Sequence, residues 1–118
     1  FNNQELIINA GSEVIFYAFL IALPLSILNS FNEEVITRWT IVETFGDKSR
    51  AAPYISGLIF GVPHFFGVPG GILGALLSFI LGVLLAKSIQ DTKGIGWAVF
   101  IHMLQDIVIF TALLIPLI

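Results

Sequence analysis

The chain has 118 residues, 57% of them hydrophobic and 11% charged, with a mean hydropathy of +0.98 and a formal net charge of −3. Soluble domains carry about 25% charged residues, so this composition belongs in a bilayer. The acidic balance offers no basic surface to nucleic acid, and a chain without cysteine has no disulfides or thiolate metal sites.

Residues 1–11 are polar around a short apolar patch and are expected to form an interfacial lead-in. The chain starts on Phe1, with no basic segment followed by a small-residue cleavage site. It is therefore expected to be a piece of a longer multi-pass protein. Ser12 suits a helix N-cap, with Glu13 in the first turn where a carboxylate meets the positive end of the helix dipole. Residues 14–32 carry no charge, enough for one bilayer crossing. Pro24 is expected to kink this run and Asn29-Ser30 to be a candidate break. The helix then continues through Glu33 and Trp39 to about Phe45, as one kinked helix or as two.

A first loop is expected at 46–52, a second apolar helix at 53–66, a reversal at 67–70 and a third span at 71–86. On that third span Gly70, Gly74, Ser78, Gly82 and Ala86 recur every four residues, a ladder that lets helix backbones approach closely in lipid. A second polar loop follows at 87–93 and a last span at 94–118. Trp39, Tyr54 and Trp97 suit membrane-interface anchors. The expected fold is all-α: a polytopic transmembrane helical bundle of about four spans. Residues 1–118 are expected to act as a single membrane-embedded catalytic core. Lys48, Arg50, Lys87 and Lys93 lie in the two loops, and the positive-inside rule then puts loops 46–52 and 87–93 on the cytoplasmic side.

Against this apolar background, Asn32-Glu33-Glu34-Val35-Ile36-Thr37-Arg38-Trp39 places two adjacent carboxylates and an arginine within a span. Ionisable groups at such depth are costly and mark function by default. Glu34 precedes Arg38 by four residues, the favourable order for a helical ion pair. Glu33 points about 100° away from Glu34, and so is the acid that Arg38 reaches less easily. At about 1.5 Å per residue, Glu33 lies roughly 20 Å from Gly46 and His64 roughly 16 Å from Pro53. His102 and Asp106 lie roughly 12 and 18 Å from Gly94. Four chemistry-bearing groups thus fall at similar depth.

Bland readings stand beside each of these. Ser30-Phe31-Asn32-Glu33 matches a helix-starting capping box. His64 after Pro63 suits an interfacial histidine, and His102 with Asp106 a self-satisfied buried pair. Together, however, a carboxylate and two imidazoles are sufficient to activate water and stabilise an oxyanion.

The series Glu33-Glu34-x-x-x-Arg38, Phe60-x-x-x-His64 and His102-x-x-x-Asp106 resembles the three motifs of the CAAX-protease and bacteriocin-processing family of intramembrane endopeptidases. The resemblance implies that Glu33 and His64 activate water and that Glu34 and Arg38 form a supporting ion pair. It also implies that Phe60 packs beneath His64, and that His102 with the residue four later stabilises the oxyanion. Asp106 stands where the family commonly has asparagine, and an ionised carboxylate cannot donate a hydrogen bond as an amide does. Asp106 is left to orient His102, to be protonated, or to ligate a metal. Trp39 is a lesser departure, where a small residue is common.

A metal-free mechanism with no cofactor is favoured. Zinc held by Glu33, His64, His102 and Asp106 is the alternative. The expected partners are membrane lipid and a peptide substrate, either a lipidated (CAAX-like) protein or a leader peptide, and not nucleic acid. Two other function classes remain open: a non-catalytic bacteriocin-immunity or binding protein of the same fold, and a proton-coupled transporter. The oligomeric state is not readable from the sequence.

Overall fold

The computed structural model describes residues 3–118, so the first two residues of the expected lead-in lie outside the described residues. Every regular element among them is helical: α1 (Asn3–Ile8), α2 (Ser12–Glu34), a π-helical turn (Val35–Trp39), α3 (Thr40–Phe45), α4 (Ala51–Gly61), a 3-10 turn (Val62–Phe66), α5 (Gly71–Thr92), α6 (Gly96–Leu114) and a last 3-10 turn (Ile115–Leu117). Three helical runs are long and apolar enough to cross a membrane: Ser12–Phe45, Gly71–Thr92 and Gly96–Leu117. Ala51–Phe66 is apolar but shorter, so the expected four spans become three and a shorter fourth helix. Large apolar side chains such as Phe16, Leu28, Leu73 and Val108 are exposed along these helices, as lipid-facing surfaces require.

Several boundaries differ from expectation. Part of the lead-in is helix α1. Ser12 is the first helical residue rather than the cap, and the carbonyl of Gly11 accepts from the Ile15 N–H. Asn29-Ser30 does not break α2, and Pro24 lies inside it. The Ser30 hydroxyl returns to its own helix at Ile27 O (3.3 Å), and the uninterrupted helix overturns the capping-box reading. The second polar loop is mostly helix: α5 runs on to Thr92 because Lys87 and Asp91 pair one turn apart on its surface at 3.0 Å. It stops at Lys93, which takes the left-handed conformation (φ 57°). The first loop shrinks likewise, since α4 already begins at Ala51.

The chain forms two compact units, residues 32–100 and residues 1–31 with 101–118. In the 32–100 unit, α4 and α5 form a hairpin around the turn at 67–70. A Cβ on Gly82 would sit 2.8 Å from Gly57 Cα, and one on Gly57 would meet Phe79 O at 2.9 Å. Only glycine permits that approach, which is the use of the small-residue ladder. Val42, Leu85, Ala86, Ile89 and Ala98 form the core of this unit, with Leu81 and Ile95 against it. At the far end of the hairpin, the buried Gln90 amide donates to Gly46 O (3.2 Å) and Ser49 O (2.7 Å), tying the 46–50 loop to the end of α5.

In the other unit, Ala18, Ala22, Ser26 and Ser30 are fully buried at four-residue spacing, a small-residue stripe on α2. Helix α1 packs with the 3-10 turn Ile115–Leu117.

Candidate active site

The first motif lies where α2 gives way to the π-helical turn. Val35-Ile36-Thr37 is a β-branched run, which crowds the preceding turn and lowers α-helix propensity. The widened turn closes on Thr40, whose N–H bonds Val35 O and whose hydroxyl donates to the same oxygen at 2.7 Å. Such turns recur at functional sites because they redirect a few side chains and carbonyls without ending the helix. Here the redirected carbonyl of Thr37 accepts from the fully buried Ser56 hydroxyl of α4 at 2.7 Å. Neither the π turn nor Ser56 was readable as part of the site. The β-branched run was the available signal.

Glu34 and Arg38 are both 0% exposed, with Arg38 Nε 3.1 Å from Glu34 Oε2. Glu33 also attracts Arg38, less than Glu34 does, so the two acids are unequal partners of one cation. Arg38 Nη1 donates to Thr37 Oγ1 at 2.6 Å, and that hydroxyl donates in turn to Glu33 O at 2.6 Å. Glu33 itself is half-buried at the last turn of α2.

The second motif meets the first through Phe60. Arg38 Cζ lies 3.8 Å from the centre of the Phe60 ring, a cation–π contact in a buried setting. The Phe60 ring is also 4.2 Å from the His64 ring, centre to centre. His64 sits in the 3-10 turn that ends α4, with Nδ1 2.6 Å from Phe60 O. A carbonyl only accepts, so Nδ1 is the donor of this pair, and Nε2 is the ring nitrogen left outside it. The ring is half-buried, so that nitrogen belongs to a group solvent or substrate can approach.

The third motif belongs to the other unit. His102 and Asp106 are 3% and 6% exposed, one turn apart on α6, with His102 Nε2 3.5 Å from Asp106 Oδ1. That separation is electrostatic contact at the outer limit of a hydrogen bond. The second oxygen, Asp106 Oδ2, accepts from the Asn29 side-chain amide of α2 at 3.0 Å. Asn29 is a site residue the sequence did not reveal.

Among the described residues, no three His, Asp or Glu side chains converge as a metal shell. The donor sets present are a carboxylate pair on arginine, a histidine on a carbonyl and a histidine on an aspartate. None is a three-ligand zinc site with an open position, and no step below is routed through a metal.

Neither a curated relative nor a solved structure matches the chain. The family model of the type II CAAX prenyl endopeptidase Rce1-like proteins does match, over residues 15–108, which takes in all three motifs together with Asn29 and Ser56. That span is most of the chain, and the chain belongs to the Rce1-like family of type II CAAX prenyl endopeptidases.

Proposed function

We propose that the protein hydrolyses a peptide bond of a lipidated, CAAX-type substrate, using water activated by Glu33 and His64 and no metal. The observation that carries this reading is the 2.6 Å contact between His64 Nδ1 and the Phe60 carbonyl oxygen. That contact commits Nδ1–H to Phe60 O, which leaves Nε2 to accept from water. Glu33 belongs to the same compact unit and is the half-buried acid of the pair, whereas Glu34 is fully buried against Arg38.

The chemistry balances without a further reactant. The water oxygen attacks the scissile carbonyl carbon as its proton passes to the Glu33 carboxylate, with His64 Nε2 accepting the second O–H as a hydrogen bond. His102 stabilises the oxyanion that forms. Collapse of the tetrahedral intermediate breaks the C–N bond, and Glu33 returns its proton to the departing nitrogen. The products are a new carboxylic acid and an amine, and the acid's proton passes by way of His64 Nε2 to the amine, leaving a carboxylate and an ammonium group. Asp106, which accepts from Asn29 and lies 3.5 Å from His102 Nε2, orients His102 in this scheme and does not donate to the oxyanion.

Residues 1–118 act together as one catalytic core in this reading, with membrane lipid around them. The basic ends face the cytoplasm. In support, Gln90 ties the 46–50 loop to the end of α5, so Lys48, Arg50, Lys87 and Lys93 gather at one end of their unit. Incubating the full-length protein in lipid nanodiscs with a farnesylated CAAX peptide, and following products by mass spectrometry, tests the proposal. Cleavage that depends on Glu33 and His64 supports it. Binding of the peptide without cleavage would assign the chain a receptor role instead.

A further inference from the structure

We infer that Asn29 is a positioning residue of the third motif: its amide holds the Asp106 carboxylate in the orientation from which Asp106 engages His102. The motif then works as a three-member relay, Asn29–Asp106–His102, rather than as a His–Asp pair. The catalytic consequence rests on the role proposed above for His102, while the relay itself stands on geometry alone.

Asp106 is a carboxylate on a rotatable arm. Its contact with His102 at 3.5 Å is too long to fix the arm. The Asn29 hydrogen bond, at 3.0 Å, is the short one, and it occupies the opposite oxygen. With Oδ2 pinned, Oδ1 is turned towards His102 Nε2, 3.5 Å away, so that a carboxylate oxygen rather than solvent faces that side of the ring. Asn29 is half-buried and lies between two fully buried positions of the α2 stripe, Ser26 and Ser30, so its backbone is held by helix packing. A half-buried amide on a helix that spans the membrane is costly unless it is satisfied, and its hydrogen bond goes to Asp106, 77 residues away in sequence. The same two positions also explain how aspartate serves at position 106. The amide that the carboxylate lacks stands across from it on α2.

The relay makes a signed prediction for a side-chain swap. Replacing Asn29 by aspartate sets two carboxylates against each other. Adding Asp106→Asn restores the hydrogen bond with donor and acceptor exchanged, and leaves the carbonyl of the newly introduced amide to face His102 Nε2. Asp106→Asn alone keeps Asn29 as donor, to that carbonyl. It therefore turns an NH2, in place of an oxygen, towards His102.

The test uses full-length protein in nanodiscs, histidine-selectively 15N-labelled, with the His102 signals assigned by their loss in His102→Gln. Asn29→Ala should move the His102 nitrogen shifts and leave those of His64 in place. Asn29→Asp and D106N alone should each move them as well, and the N29D/D106N double variant should return them. In the cleavage assay Asn29→Ala should lower kcat about 10- to 100-fold with KM within about twofold, and the swap should recover most of it. His102 signals unmoved by Asn29→Ala, or a swap no better than Asn29→Asp, would overturn the relay. Should Asn29→Ala fail to fold, the swap series carries the test. If no substrate is cleaved by the wild type, the proposed function fails while the nitrogen shifts still decide the relay.

Discussion

Arg38 Cζ lies 3.8 Å from the centre of the Phe60 ring, and through that ring the ion pair of the first motif is mechanically joined to the histidine of the second. The phenyl group carries no chemistry of its own. It offers a π-face to a buried guanidinium and a flat wall to an imidazole whose carbonyl partner is the same residue's backbone. Phe60→Leu keeps the backbone acceptor and much of the volume but removes the face. We expect a loss of about 1–2 kcal/mol in stability from the desolvated cation–π contact, and a larger drop in kcat than in substrate affinity. Denaturant titration in detergent and steady-state kinetics check the two parts. Unchanged stability and turnover would show the ring to be filler.

Arg38→Ala should destabilise by about 3–5 kcal/mol, because it leaves the Glu34 carboxylate buried against a missing cation. Changing both partners, Glu34→Gln with Arg38→Gln, removes the stranded charge and should recover part of that loss. A double variant no more stable than Arg38→Ala would refute the pairing as the source of the effect.

The α4–α5 hairpin depends on two backbones in contact. Gly82→Ala places a methyl group 2.8 Å from Gly57 Cα and should cost about 1–3 kcal/mol by overpacking. Gly94→Ala, at a position with nothing within 4 Å, should stay within about 0.5 kcal/mol of wild type. Equal effects at the two sites, read by thermal unfolding, would contradict the close approach.

Asp106→Asn separates an orienting carboxylate from a metal ligand. The orienting role predicts that cleavage falls about as far as with Asn29→Ala, since Asn29 donating to the new amide carbonyl turns an NH2 onto His102, and that adding Asn29→Asp recovers most of it. Bound zinc, measured by plasma mass spectrometry on the same preparation, should be absent from both proteins. Parallel loss of zinc and activity would overturn the metal-free assignment.

What the sequence showed and what it hid divide along sequence separation. The spans were legible because uncharged runs longer than a bilayer have one structural outcome. The i, i+4 pairs Glu34–Arg38 and His102–Asp106 were legible because helix geometry brings such positions together. The end of α5 was not, since Lys87, Gln90 and Asp91 resemble a loop in composition while pairing and clamping as helix. Asn29 and Ser56 were hidden for a different reason. Their partners lie 77 and 19 residues away, Asn29 could be read only as a helix breaker, and Ser56 carried no signal at all. The π turn could not be read from spacing, because one redirected turn leaves the apolar pattern on either side intact.

The central claim, that Glu33 and His64 activate the attacking water, is tested most directly by single-turnover cleavage of a farnesylated CAAX peptide with full-length wild type, Glu33→Gln and His64→Ala in nanodiscs. Both substitutions are near the size of, or smaller than, the native side chain, and neither removes the Glu34–Arg38 pair. The account predicts folded, membrane-inserted variants that still bind the peptide and have lost at least about 10²-fold in the rate of bond cleavage. Turnover by either variant at the wild-type rate would contradict it.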